Sequence, residues 1–140
     1  MLSLYDSEFD LFTSSLKTVH NGKVGGADEK LVYIKNDDAT KYYTDITISY
    51  DHELSDGYGI NSTTGWSVKL SRGSRQPTEQ EWANITSGQS ITVEDIGTES
   101  EGNDSEYRGF WIRIYCPGNS PAQNRTAQRI NVVYKEGVVV

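Results

Sequence analysis

The sequence is poor in cysteine and histidine, and this excludes several kinds of site. Among its 140 residues Cys116 is the only cysteine, so no intramolecular disulfide can form. Such a chain suits a reducing cytoplasm. His20 and His52 are the only histidines, and neither has a second His or a Cys at the spacing of metal ligands. We therefore expect neither a metal site nor a cofactor.

Long apolar segments are also missing. No stretch approaches the roughly 20 apolar residues that cross a bilayer. The first six residues, M-L-S-L-Y-D, lack the basic region and the apolar core of a signal peptide. We therefore expect a protein that is made in the cytoplasm without a signal peptide and has no membrane partner.

Basic residues are too few for nucleic-acid binding, since 13 Lys and Arg stand against 20 Asp and Glu and the net charge is −7. A duplex-binding protein needs a basic surface to displace counterions from phosphates. Catalytic motifs are missing as well: there is no G-x-S-x-G, no P-loop and no G-x-G-x-x-G. The acidic residues at 51–56 and 99–106 do not follow the EF-hand spacing, and we interpret them as solvated loops. We expect no enzymatic activity and no nucleic-acid partner.

What the sequence does contain is alternation of apolar and polar residues. The period of two predicts strands over residues 30–36, 43–51, 65–71, 89–94, 109–116 and 127–134, with residues 2–5 as an edge strand or an arm. The strongest of these places Cys116 on an apolar face with Phe110, and Trp111 on the opposite face. Thr78 and Glu81 have the spacing of a capping box, which predicts a short helix over residues 78–84.

This succession of short strands favours an all-β fold, a single antiparallel β-sandwich. A chain of 140 residues suits one domain. We predict an N-terminal arm and loop over residues 1–29 and the sandwich over residues 30–140. The short polar breaks between strands further predict that consecutive strands are antiparallel neighbours.

Two strings of residues resemble immunoglobulin-like domains. The string Y-I-K-N before Asp37 is similar to the strand-end Asn of such domains, and F-W-I-R-I-Y-C-P-G followed by A-Q-R-I-N-V-V-Y resembles their last two strands. The resemblance spans about residues 30–134 and implies an immunoglobulin-like sandwich. The second cysteine of antibody domains is missing.

A second resemblance concerns function. The succession G-K-V-G-G, L-V-Y-I-K-N-D-D, Y-Y-T-D-I-T-I, P-T-E-Q-E-W and F-W-I-R-I-Y-C-P-G-N-S-P-A-Q resembles small structural proteins of tailed-bacteriophage virions. The resemblance implies a capsid decoration (cement) protein, or an accessory protein of the neck, tail or baseplate. It also implies residence in the virion after synthesis in the host cytoplasm, contacts with other virion proteins, and a homo-oligomer.

The interface candidates come from the two ends of the chain and from the central strand. Residues 1–18 and 137–140 are expected to extend to neighbouring subunits, while the face of the central strand opposite the core offers aromatic residues beside an arginine. The candidates are Leu2, Leu4, Tyr5, Phe9, Phe12, Trp111, Arg113, Tyr115, Val138 and Val139. An alternative is a carbohydrate- or receptor-binding module in which Trp111 and Tyr115 stack on sugar rings.

Overall fold

The chain forms seven strands and one short helix in a computed structural model that describes residues 2–12, 23–51, 67–85, 90–118 and 129–140. In chain order the elements are β1 (Leu2–Tyr5), β2 (Gly26–Asn36), β3 (Lys41–Asp51), β4 (Ser67–Arg72), α1 (Glu79–Ala83), β5 (Ile91–Val93), β6 (Tyr107–Cys116) and β7 (Arg129–Val138).

The strands make two antiparallel sheets. One has four strands in the order β1-β2-β6-β4, and the other has three in the order β5-β3-β7. Inward-facing side chains from both sheets form one core, in which Ile34 and Phe110 of the first sheet share a cluster with Ile48 of the second. The predicted all-β fold with two antiparallel sheets is therefore confirmed.

Alternation along β6 follows the sequence pattern closely. Phe110, Ile112 and Cys116 are fully buried, whereas Tyr115, which points to the opposite face, is exposed. Cys116, the last residue of β6, is a buried free thiol on the core-facing side of the strand. The expectation that it serves as a small buried apolar residue agrees with this placement.

β2 and β3 are not sheet neighbours, contrary to our prediction from the short break between them. Only four residues separate β2 from β3, yet β2 pairs with β1 and β6, and β3 pairs with β5 and β7. The short link therefore crosses from one sheet to the other. The hairpin prediction fails because a two-to-five-residue break is equally compatible with a crossing between packed sheets.

Asn36, the strand-end asparagine, organises this crossing. Its side chain is fully buried, and its Nδ2 group donates to the carbonyl oxygens of Lys41 at 3.1 Å and Gly102 at 2.7 Å. Its Oδ1 atom accepts from the backbone N–H of Asp38 at 2.9 Å. A Cβ atom on Gly102 would collide with the carbonyl oxygen of Ala39, so only glycine allows this close approach.

A β-bulge in β3 changes which of its residues face the core. The register with β7 shifts between Thr44 and Thr47, and Asp45 takes a φ of +51°. Because the bulge adds a residue, Tyr43 is buried on the same side as Ile46 and Ile48. The pattern of Ile46, Ile48 and Tyr50 facing one way was predicted, but strict alternation would have placed Tyr43 on the opposite face.

The two terminal segments belong to the sheets. β1 pairs with β2 along Leu2–Tyr5, and β2 begins at Gly26, so the boundary predicted between residues 29 and 30 lies inside β2. At the other end β7 continues to Val138, and the N–H groups of Val139 and Val140 donate to the carbonyls of Thr40 and Glu99, both at 2.9 Å. The described parts of both predicted arms are thus attached to the sandwich; residues 13–18 lie outside the described ranges.

Helix α1 begins with the predicted capping box. The Thr78 hydroxyl accepts from the Glu81 N–H at 3.2 Å, and the Glu81 carboxylate accepts from the Thr78 N–H at 3.1 Å. Trp82 is fully buried and anchors the helix to the outer face of the four-stranded sheet, where the Arg113 guanidinium lies 5.6 Å from the centre of its ring.

Candidate interaction surfaces

An apolar groove runs along one side of the sandwich, between the edge strand of each sheet. It has a volume of about 270 Å³ and is lined by Leu2, Leu4, Ile34, Ile130, Val132 and Tyr134. The first three belong to β1 and β2 and the last three to β7. Two predicted interface residues, Leu2 and Leu4, therefore lie on its wall, where they also pack against the core.

The two strands that flank the groove differ in how open their edges are. The outer edge of β1 is partly paired, because Tyr5 bridges to Leu11 and the N–H of Phe12 donates to the carbonyl of Leu4 at 3.0 Å. Among the described strands β7 pairs with β3 alone. Its side chains include Val133, which is 65% exposed. Within the described ranges, the outer edge of β7 thus presents backbone groups without a partner strand, beside apolar side chains.

An aromatic cluster lies on the opposite, outer face of the four-stranded sheet. The rings of Phe9 and Tyr33 stack with centroids 4.4 Å apart and planes 12° apart. Tyr107 meets both edge-on, at 5.0 Å from Phe9 and 5.2 Å from Tyr33. Phe9 and Tyr107 are nevertheless 45% and 46% exposed. We call Phe9, Tyr33 and Tyr107 the aromatic platform.

A strained turn positions Phe9 on this platform. Phe9 has a φ of +63°, a conformation that costs a non-glycine residue roughly 1–3 kcal/mol. The turn is held by Asp6, whose Oδ1 atom accepts from the N–H groups of Glu8 at 2.9 Å and Asp10 at 3.0 Å. The Phe9 N–H donates to the Asp6 carbonyl at 3.0 Å. Local hydrogen bonds and the ring contact with Tyr33 together offset the strain.

Trp111 and Arg113, which we predicted as interface candidates, do not form an open binding face. The Trp111 Nε1–H donates to the Ser74 carbonyl at 3.1 Å, so the segment before α1 lies over this side chain. Arg113 forms ion pairs with Glu79 at 3.1 Å and Glu29 at 3.5 Å. Both are only partly exposed, because α1 and the segment before it cover the middle of the sheet. The sequence pattern placed them on the outer face correctly but did not identify the segment that covers it.

The other predicted interface residues are dispersed. Tyr115 is 44% exposed at the far end of the outer face, and Val138 is 63% exposed near the end of β7. Tyr5 is half-buried with the Lys35 ammonium group 5.9 Å from its ring centre. Phe12 packs against the core, and Val139 is half-buried beside Thr40. The structure therefore brings Leu2, Leu4 and Phe12 together at one edge and keeps Trp111, Arg113 and Tyr115 on the outer face, but it does not gather all the candidates into one surface.

Several residues of both surfaces were missed. Tyr33 and Tyr107 were not among the interface candidates, although their aromatic character was a usable signal. Ile130, Val132 and Tyr134 were predicted to share one face of the last strand, as they do, but the pattern could not show that this face borders an opening. A groove depends on which strands end up at sheet edges, and that is set by long-range pairing.

The acidic residues at 99–106 differ in how they are used. Glu106 pairs with Arg108 at 2.6 Å and also accepts from the Gly97 N–H at 3.2 Å, so it is not a solvated residue as we had interpreted it. Glu99 and Glu101 are exposed, as we had interpreted them.

Tyr43 is protonated at every ordinary pH. Burial, followed by the hydrogen bond to the Glu136 carboxylate, raises the pKa of Tyr43 far above its ordinary value. This phenol therefore stays protonated and donates to Glu136.

Within the described ranges, no three His, Cys, Asp or Glu side chains come together in a way that could hold a metal ion. Over the same residues no helix has the length and apolarity needed to span a membrane. His20, His52 and the acidic positions 53 and 56 lie outside the described ranges. Comparisons of the chain with models of known protein families, with curated proteins and with solved structures found no match.

Proposed function

We propose that this protein is a non-enzymatic structural component of a tailed-bacteriophage virion, in the role of a capsid decoration protein that acts through contacts between protein subunits. The proposal rests on the resemblance of its sequence strings to such proteins. The observation that carries the assembly mechanism is the apolar groove beside the outer edge of β7, which has no partner strand among the residues that the structure describes. An immunoglobulin-like topology for the sandwich is part of the same proposal.

The groove supports an assembly role because apolar surface is costly to leave in water. Burial is worth roughly 25 cal/mol for each Å² of apolar surface removed from water. Six apolar side chains from both sheets border one opening here. Contiguous apolar surface of this kind on a soluble protein commonly marks an interaction site.

The β7 edge supports it because backbone pairing is available at the same place. A strand from another subunit could add to this edge by antiparallel or parallel hydrogen bonding, and could direct alternate side chains into the groove. The charge of −7 favours partners with basic patches over other acidic surfaces. In this scheme homo-oligomers and contacts with capsid or tail subunits use the same groove.

The assembly mechanism can be tested with two adjacent substitutions in β7. Val132→Gln places a polar group in the groove, whereas Val133→Gln changes the exposed neighbour on the other face of the strand. Light scattering on the purified chain, and cosedimentation with capsids where the chain alone is monomeric, measure association. We expect Val132→Gln to weaken association about tenfold or more and Val133→Gln to have little effect. Equal behaviour of the two variants, with both folded, would contradict the groove as the contact.

Deleting residues 1–18 is a poorer test of the same mechanism. The deletion removes β1, which is part of the four-stranded sheet, along with any contact to a neighbour. Loss of assembly would then follow from a damaged fold as readily as from a lost interface. The virion role itself is tested by mass spectrometry of purified particles from cells that express the chain during infection. Its presence in the soluble lysate and its absence from particles would refute that role.

A further inference from the structure

We propose that the aromatic platform is a carbohydrate-binding site that takes the apolar face of a neutral pyranose ring. This inference concerns Phe9, Tyr33 and Tyr107, on the outer face of the four-stranded sheet and away from the groove. It does not depend on the proposed virion role. It differs from the sugar-stacking prediction above, which used Trp111 and Tyr115.

The geometry of the platform leaves one ring face for a ligand. Phe9 lies nearly parallel to Tyr33 at 4.4 Å, so one face of its ring is covered by the tyrosine. Since 45% of Phe9 remains exposed, the opposite face is the one that meets solvent. Tyr107 stands nearly perpendicular at 5.0 Å and is 46% exposed, so its phenol borders the platform. The result is a flat apolar surface with a phenolic group at its side.

The turn that carries Phe9 makes this exposure a defined feature. A non-glycine residue at positive φ is uncommon and persists only where the surrounding structure determines it. Here the two hydrogen bonds to the Asp6 carboxylate fix the turn on either side of Phe9. The chain therefore holds a large apolar ring in a set orientation while nearly half of it stays in contact with water. A residue that served only to cover Tyr33 would not need this conformation.

The charges around the platform select the class of ligand. Glu8 and Asp10 flank Phe9 in sequence and are exposed, and the whole chain carries a charge of −7. Lys35 is paired with Tyr107 across the two strands, but its ammonium group lies over the Tyr5 ring, 5.9 Å from the ring centre. Nucleotides and other phosphate-bearing ligands would be repelled, although their bases could stack. A neutral sugar avoids this repulsion, because its hydroxyl groups can donate to carboxylates. Its C–H groups carry partial positive charge toward the negative face of an aromatic ring.

The test uses the purified full chain and a defined panel of neutral oligosaccharides. The panel contains soluble hexasaccharides of glucose, galactose and N-acetylglucosamine, screened on an array and then titrated by calorimetry or NMR. The informative variant is Phe9→Gly, because glycine adopts positive φ without strain and the turn should keep its conformation. Phe9→Tyr preserves the ring. Tyr115→Ala is the matched control on the same sheet face.

We expect at least one panel member to bind, and Phe9→Gly to weaken that binding by about fivefold or more. Phe9→Tyr and Tyr115→Ala should bind within about twofold of the wild-type chain, with all variants folded by circular dichroism. Absence of binding to every panel member would overturn the proposal, as would equal binding by Phe9→Gly. Loss of subunit association in Phe9→Gly without any sugar binding would assign the platform to a protein interface and likewise overturn it.

Discussion

The buried asparagine at the end of β2 allows a quantitative prediction. Asn36→Ala removes three hydrogen bonds at once, those to the carbonyls of Lys41 and Gly102 and that from the N–H of Asp38. Each is worth about 1 kcal/mol net, and a buried group left without a partner adds to the cost. We therefore expect a loss of about 2–4 kcal/mol in the free energy of unfolding. In a domain of this size that corresponds to a decrease in Tm of roughly 6–16 °C.

Urea unfolding followed by tryptophan fluorescence measures this loss directly. The midpoint should decrease while the slope with denaturant stays the same, since the surface exposed on unfolding is unchanged. Asn131→Ala is the matched control, because Asn131 is only partly buried, on β7; it should change stability by less than about 0.5 kcal/mol. If Asn36→Ala costs no more than Asn131→Ala, the three hydrogen bonds do not stabilise the crossing between the sheets.

Three further changes give distinct expected outcomes. Hydrogen bonds from Arg75 lower the pKa of Glu81 from 4.5 to about 2. The stabilising contribution of the Glu81 carboxylate is therefore present above pH 4.5 and is lost as the pH falls toward 2. Glu81→Gln should flatten this part of a pH–stability curve measured by urea unfolding. Gly102→Ala should lower Tm by at least several degrees in a thermal melt, because the new methyl group would collide with the Ala39 carbonyl. Trp82→Phe should cost less than about 2 kcal/mol, against about 3–5 kcal/mol for Trp82→Ala in the same urea assay, since the buried indole N–H has no hydrogen-bond partner in the described part of the chain.

Local patterns predicted the elements of this fold well. Alternation identified the core faces of β3 and β6, and the Thr78–Glu81 spacing identified the start of α1. These features depend on residues close together in the chain, where side-chain direction and backbone hydrogen bonds are fixed by local geometry. The strand-end position of Asn36 was also recognised, although its three partners were not.

Sheet order could not be predicted in the same way. A break of four residues between β2 and β3 gave no indication that the chain crosses between sheets. The bulge at Asp45 could not be predicted either, because tertiary packing, and not the local sequence, determines whether an aspartate adopts a positive φ. As a result neither the segment that lies over Trp111 nor the platform around Phe9 was foreseen. Both depend on which segments fold over the outer face.

The pairing of distant strands has a consequence for how the chain folds. β2 finds its central partner in β6, and β3 its long partner in β7, so each sheet joins an early strand to a late one. Closing such large loops before any contact is gained makes folding slow, typically milliseconds to seconds for β-sandwiches. During synthesis neither sheet can be completed until the last third of the chain is available. Until then the apolar faces of β2 and β3 stay open to aggregation or to chaperones.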